Sequence, residues 1–534
     1  MADADAPLRP GGAWRSMRAA LLVTLLVALG LRPFLPYHDA VPLQRDSLKW
    51  IERTDPASEE SVEWMLRSEH FIGYRPATAV SFALGHRMHG YCERGFRGVD
   101  LGLHALSIVL VLLVGVRVFG VMPGAIGAIL FAAHPAADEV VPFLARRSYA
   151  FATAGAFLGL LLATYGARRS MVAFALTGPV LLIGMFAHEL GALQALVLPV
   201  VALACTAHRG RAALLTAWGW AWIGAGVWIR SGVMRDVEGY PIGDDRWGRA
   251  GEVMERFGAS LGGVLSAEGP WLWVVAVAGA LALVAAVQFA VARRPAALAL
   301  AAVLLLYGAV VSYQAVWFPR QAYCSAALGA LFVAALVRDG VLGEGASAAS
   351  RAVAAVPLAA VLVTIVAASP LWRGAGPERL ARAHASTAFV RGARTAAGSI
   401  DEPAELGLVV RIEPVKPAPT GALLPVRKNK RRLADLHRRI PFLWLQHLLE
   451  RTDVTPREML YVVGGESEAH LLTEGGASVE LGADTVAFDA RAGRAARVPE
   501  RQRVVELAVP RNVEHAPFLW SNLEGSGTLM PWPR

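Results

Sequence analysis

Between residues 17 and 371 the chain repeatedly runs through apolar stretches that are nearly free of charge. Each is close to the roughly 20 residues a helix needs to cross ~30 Å of hydrocarbon. In lipid a spanning segment has to satisfy its own backbone polar groups, so such stretches are confined to helices. Spans are predicted at 17–36, 97–119, 121–137, 148–166, 171–187, 190–207, 212–230, 271–292, 296–317, 321–338 and 352–371. Of the 534 residues 55% are hydrophobic and only 18% charged, against about 25% charged in a soluble domain. The deficit is local, because composition turns ordinary after residue 371. The expected fold is therefore mainly α: a polytopic membrane domain over residues 1–371 with about eleven spans, then a small soluble α/β domain over 372–534.

Arginines in the short connections set the orientation. With the N-terminus inside, the inner segments carry Arg9, Arg15 and Arg18, then Arg117, Arg168 and Arg169, Arg209 and Arg211, Arg293 and Arg294, and Arg338 and Arg351. The outer turns at 188–189 and 318–320 are poorer in positive charge. This predicts a multi-pass protein of the cell (inner) membrane with a cytoplasmic N-terminus. A first outer loop then covers 37–96, a second 231–270, and the tail is extracytoplasmic. The net charge of +9 becomes a signature of topology, which removes nucleic acid as the expected partner. Met17–Pro36 lacks a small-residue cleavage site and reads as an uncleaved first span rather than a signal peptide. Cys92, Cys205 and Cys324 show neither metal nor disulfide-framework spacing, and Cys92 and Cys324 share a side on which a bridge is open to them.

Glu59–His70 and residues 246–265 mix charges with Val, Met, Leu and Trp, as interfacial amphipathic helices or packed loops do. Ionisable residues at span ends are costly, and each is a functional candidate. On the outer side they are Asp39 and Asp46 after the first span, and His104 near the outer end of the second. His134, Asp138 and Glu139 follow the third, with Arg146 and Arg147 soon after. His188 and Glu189 lie between the fifth and sixth, and Arg320 and Tyr323 between the ninth and tenth. An acid can draw a proton from an acceptor hydroxyl, and Arg and His can hold a phosphate. A membrane enzyme taking a sugar from a lipid phosphate needs both. Taken singly, each residue is equally read as an interface marker, and Arg146 and Arg147 as snorkelling cations.

In chain order these pieces resemble the GT-C membrane glycosyltransferases, most closely the branch of protein O-mannosyltransferases with C-terminal TPR repeats. The matching residues are Tyr37-His38-Asp39, then Tyr74-Arg75-Pro76 with Ser81-Phe82, and His104 in GFRGVDLGLHALSIVLV. The most specific piece is FAAHPAADEVVPFLARR, with Phe131, His134, Pro135, Glu139, Val140 and Arg146 or Arg147. His188-Glu189 and Pro319-Arg320-Gln321-Ala322-Tyr323 complete the set. The resemblance covers roughly residues 17–340. It implies a polyprenyl-phosphate-linked sugar as donor, the membrane lipid as surroundings, and a protein or glycan as acceptor, with transfer on the outer face. It further implies Asp39 as base, while His134, Glu139 and Arg320 hold the donor phosphate or shape the pocket. No cofactor is expected, and a divalent metal, used elsewhere in the superfamily, is disfavoured by the lone Asp39.

Three positions depart from the branch: His38 stands for the first acid of a pair, His188 for a lysine, and Pro319 for a glutamate. The tail shows no 34-residue self-similarity of the TPR kind. Beside the transferase, an inactive relative acting as scaffold or assembly factor stays open, as does a transporter of lipid-linked substrates. Internal repeats and midplane charges, common in transporters, are not visible. In the tail, 406–412, 459–463, 477–481 and 504–509 read as strands and 378–396 and 431–451 as helices. Its basic run Arg427–Arg432 is a solvated face, or a contact with lipid headgroups or an acidic acceptor.

Overall fold

In a computed structural model, residues 11–40, 73–90, 92–234, 296–313 and 319–341 are described continuously. Shorter pieces near 47–55, 64–66 and 351–380 and seven strands between 405 and 530 complete the described residues. The chain divides into two compact units, one of Met1–Leu35, Arg53–Met88 and Gly98–Gly376, the other of Pro36–Glu52, His89–Arg97 and Pro377–Arg534.

The first unit is helical: α1 (Gly11–Leu31), α2 (Pro76–His89), α3 (Glu93–Phe119), α4 (Val121–Ala133), α5 (Ala136–Val140), α6 (Arg147–Arg168) and α7 (Met171–Ala187). It continues with α8 (Leu190–Ala195), α9 (Leu198–Cys205), α10 (Arg209–Val233), α11 (Ala296–Tyr313), α12 (Ala322–Leu336) and α13 (Pro370–Arg373). The first turn of α3 is shared with the second unit. Among the described residues four helical stretches are long and apolar enough to cross a membrane: Glu93–Phe119, Leu144–Arg168, Arg209–Val233 and Ala322–Asp339. At 1.5 Å per residue, the 27 residues of α3 reach about 40 Å. The chain is a membrane protein of several apolar helices.

Two predicted spans are shorter or broken. The stretch expected over 121–137 is broken after Ala133, where His134 turns to extended backbone (ψ 129°) ahead of Pro135, and α5 begins at Ala136. The stretch expected over 190–207 divides into α8 and α9. Tighter bonds bridge that break, Leu196 N–H to the Leu193 carbonyl and Val197 N–H to the Gln194 carbonyl, both 3.3 Å, and a proline sits in the first turn of α9. The span predicted at 271–292 and the amphipathic stretch at 246–265 lie outside the described residues. Within 59–70 only Trp64–Leu66 is described, and it is helical. Cys92, Cys205 and Cys324 are free thiols.

Small residues let the helices near the site approach closely. A β-carbon on Gly184 of α7 would lie 2.8 Å from the Ala156 backbone nitrogen, and one on Gly191 of α8 2.6 Å from the Gly184 carbonyl oxygen. Without a hydrophobic drive between helices in lipid, such contact is a main source of association. Hydrogen bonds reinforce it: the buried Gln194 Nε2 donates to Thr153 Oγ1 (3.2 Å) and to the Cys324 carbonyl (2.9 Å). The α6–α7 turn is capped by Ser170, whose hydroxyl oxygen accepts the Ala173 N–H at 3.1 Å. An N-cap serine satisfies a donor that has no partner within its helix.

The second unit holds a five-stranded sheet in the order β3-β2-β1-β6-β7. Here β1 (Glu405–Ile412) runs parallel to β2 (Thr455–Val463) and β6 (Phe518–Asn522), while β3 (His470–Leu472) and β7 (Gly527–Met530) pair antiparallel at the edges. A separate hairpin joins β4 (Val486–Asp489) to β5 (Arg494–Arg497). The strands predicted at 406–412 and 459–463 are β1 and β2. Those at 477–481 and 504–509, the helix at 431–451, the basic run at 427–432 and nearly all of 378–396 lie outside the described residues. The near-continuous apolar run in β1 suits a central strand with parallel neighbours on both sides.

Candidate functional site

Two helix breaks each carry a histidine. His134 and Pro135 separate α4 from α5, and His188 and Glu189 separate α7 from α8. In each break the histidine backbone is extended and its Nδ1 accepts the N–H two residues on. The Ala136 N–H reaches His134 at 3.1 Å and the Leu190 N–H reaches His188 at 3.3 Å. N–H groups in the first turn of a helix have no partner within it, so each imidazole serves as a cap. A neutral ring that accepts at Nδ1 carries its proton on Nε2.

Around the second break charges gather from distant parts of the chain. Thr78 Oγ1 in the first turn of α2 donates to the Ala187 carbonyl at 2.9 Å, which fixes the start of α2 against the end of α7. Arg75, just ahead of α2, then forks onto Glu189, with Nε to Oε2 at 3.3 Å and Nη2 to Oε1 at 3.1 Å. Arg230 in the last turn of α10 reaches the same carboxylate, Nη1 to Oε2 at 3.3 Å. The Tyr149 ring packs on His188 with centroids 4.1 Å apart, and its hydroxyl accepts from Arg320 Nε at 3.2 Å. Arg146 donates to Glu139, to the carboxylate at 2.7 Å and to the carbonyl at 2.5 Å, and the Arg146 and Arg320 charges act on each other. Asp138 shares α5 with Glu139. Four guanidinium groups and two carboxylates thus meet around Tyr149 and His188, an arrangement with positive charge to spare.

Burial by itself would raise the Glu189 carboxyl. The Arg75 guanidinium above all, with His188 and Arg230, instead draws it well below the usual carboxylate range. Burial, and then Arg75, push His188 well below the ordinary imidazole value, with Glu189 opposing. At neutral pH the pair is a carboxylate beside a neutral imidazole.

No protein-family model matches the chain, and no curated protein matches it. Among solved structures it is similar to ArnT from Cupriavidus metallidurans in the apo state, at 14% identity over 84% of this chain and 94% of that one, with a TM-score of 0.46. It is similar to the same protein bound to undecaprenyl phosphate, at 14% identity over 83% and 93%, TM-score 0.44. A third likeness is to the Archaeoglobus fulgidus oligosaccharyltransferase tethered with an acceptor peptide, at 12% identity and TM-score 0.39. It covers 73% of this chain and only 61% of the archaeal one.

Several predicted site residues stand elsewhere. Tyr323 and His104 are buried in the bundle, where the tyrosine hydroxyl and His104 Nδ1 lie 2.8 Å apart between α3 and α12. Their rings pack against Phe131. Of the two adjacent arginines only Arg146 joins the cluster. Arg147 is buried and bonded to Asp100 of α3, its guanidinium 4.2 Å over the Phe82 ring. In the second unit Arg94 forks onto Asp39, Nε to Oδ1 at 2.8 Å and Nη2 to Oδ2 at 3.0 Å. His38 Nδ1 lies 3.0 Å from the same Oδ1. Asp46 lies outside the described residues.

Two participants went unnamed at the level of sequence. Arg230 had a signal: in GVWIRSGV an arginine ends a span on the side expected to be outer, against the positive-inside bias. Tyr149 had none, since an aromatic residue within an apolar helix is ordinary. Among the described residues no three His, Cys, Asp or Glu side chains converge as a metal site would require.

Proposed function

We propose that the chain is a GT-C glycosyltransferase that moves a sugar from a polyprenyl-phosphate donor to a protein or glycan acceptor at the extracytoplasmic face of the membrane. The observation that carries this reading is the cluster of Arg75, Arg146, Arg230 and Arg320 about Glu139, Glu189, His188 and Tyr149. Breaking the bond between a sugar and a phosphate leaves a phosphomonoester whose negative charge grows in the transition state. Preorganised guanidinium groups in poorly hydrated surroundings stabilise that charge strongly. His134 and Asp138 belong to the same proposed pocket. Asp39 is the proposed base for the acceptor hydroxyl, with Asp46 as the second candidate, and a divalent metal is not favoured. This reading allies the chain with the protein O-mannosyltransferases, without their TPR repeats. The proposal includes the eleven spans, the cytoplasmic N-terminus, and the change from membrane domain to extracytoplasmic α/β domain near residue 371.

A specific observation favours a second reading, an inactive scaffold or assembly factor. His38 stands where an acid is expected, and Arg94 engages both Asp39 oxygens. The pair is exposed on both sides, so water screens it and an incoming acceptor can open it. The deciding experiment supplies membranes containing the protein with a series of undecaprenyl-phosphate hexoses and follows new glycosidic bonds. Asp39→Asn is expected to lower transfer by about 100-fold or more while expression and undecaprenyl phosphate binding stay. Lipid binding without transfer by the unaltered protein supports the scaffold, and movement of the lipid without a new bond supports a transporter.

A further inference from the structure

We infer that His188 is a neutral hydrogen-bond donor to a phosphate oxygen of the bound lipid, giving direction to a cluster whose arginines supply the charge. The inference rests on the phosphate-site reading above and deepens it. The His188 residue is 2% exposed. One edge of its ring is committed, because Nδ1 accepts the Leu190 N–H at 3.3 Å. One face is covered by Tyr149, with ring centroids 4.1 Å apart. Cap and stack together hold the ring and place its proton on Nε2. That atom is buried and, among the described residues, meets no hydrogen-bond acceptor.

A buried donor without a partner is rare, because leaving it unmade costs its full desolvation. The surroundings say what would complete it. Arg75, Arg230 and Arg320 all act electrostatically on the ring, with Glu189 as the one opposing carboxylate. An acceptor entering between an N–H and three guanidinium groups is stabilised if it is an anion with several oxygens, as phosphate is. Glu189 is already engaged by Arg75 and Arg230.

This gives a physical meaning to the departure at position 188. The branch that the chain resembles has lysine there, a mobile point charge. Here burial beneath Tyr149 and the nearness of Arg75 keep the imidazole uncharged. The position adds no further cation to four arginines. It adds one donor of fixed direction, whose strength does not change as pH crosses neutrality.

The test uses the full-length protein in lipid nanodiscs with undecaprenyl phosphate as the probe. His188→Phe keeps a ring against Tyr149 and removes both nitrogens. It is expected to raise Kd roughly 10- to 100-fold, as loss of a hydrogen bond to a charged group does. His188→Gln restores an N–H donor and is expected to recover most of that loss, while His188→Leu is a second donor-free variant should the phenylalanine protein not fold. The ratio of the Phe variant's Kd to that of the unaltered protein stays flat from pH 6 to pH 8. Donor-free variants that bind as the unaltered protein does, or a ratio that grows towards acid as an imidazolium would require, overturn the inference and leave the phosphate site standing. An unaltered protein that does not bind the probe at all overturns the phosphate-site reading itself.

Discussion

Removal of the Glu189 carboxylate exposes how far the cluster is a mutually dependent unit. Glu189 receives a two-pronged contact from Arg75 and a single one from Arg230, all within 3.3 Å. The Arg75, Glu189 and Arg230 side chains are 17%, 24% and 24% exposed. Taking one partner from a fully buried pair costs about 3–5 kcal/mol, whereas an exposed pair is worth under about 1 kcal/mol. A carboxylate still about one-quarter wet falls between, so Glu189→Ala is expected to destabilise the protein by about 2–3 kcal/mol. Arg75→Ala should cost a similar amount, and the double variant less than the sum by about 2 kcal/mol, because the second substitution removes a group already stranded by the first. The cycle with Arg230→Ala should give a smaller coupling of about 1 kcal/mol, since its contact is single. Reversible unfolding of the purified protein in mixed micelles measures all of these. Additivity of Arg75→Ala and Glu189→Ala to within about 0.5 kcal/mol would refute the reasoning, for it would mean that the fork is not closed in the folded protein.

Two further outcomes concern the scaffold and its titration. Gly184→Ala places a methyl 2.8 Å from backbone at Ala156 and is expected to cost about 1–3 kcal/mol by overpacking. Gly224→Ala in α10, which among the described residues meets nothing within 4 Å, should instead stabilise by about 0.5–1 kcal/mol through helix propensity, and thermal unfolding of the two compares them directly. The cluster also sets an acid limit to stability. His188 and Glu189 are both held below their ordinary values, so at low pH the unfolded chain binds protons that the folded one refuses. Stability should fall first below about pH 6.5 as the unfolded imidazole protonates, and again below about pH 4.3 as the unfolded carboxylate does. His188→Gln should shrink the first component, and unfolding midpoints between pH 4 and pH 8 would show it; a first component of unchanged size in the variant would assign the loss elsewhere.

Much of the helical plan was legible along the chain. The apolar runs at 97–119, 148–166, 212–230 and 321–338 coincide with the four helical stretches long enough to cross a membrane, because a helix in lipid is specified by its own hydropathy. The breaks were less legible. The prediction carried the third span through to 137, although Pro135 and the extended His134 end the helix at Ala133, and it joined α8 to α9. In both places the apolar character continues after the hydrogen-bond ladder has stopped, so hydropathy alone misses the end.

The candidate site divides in the same way. Residue types were readable: FAAHPAADEV, His188-Glu189 and Arg320 stood out as ionisable groups at span ends, where burial makes them expensive. Which groups meet was decided by the crossing of helices far apart in the chain. Gly184 allows α7 against α6, Thr78 fastens α2 to the end of α7, and only then does Arg75 reach a glutamate 114 positions away. The same packing buries Arg147 with Asp100 and leaves Arg146 to the cluster, moves Tyr323 into the bundle with His104, and brings in Arg230 and Tyr149. The sequence by itself determined a chain of membrane-crossing helices with polar breaks, because apolar length is a local property. The pairing of charges across those breaks belongs to the tertiary structure, since it depends on side chains brought together only when small residues let the helices cross closely.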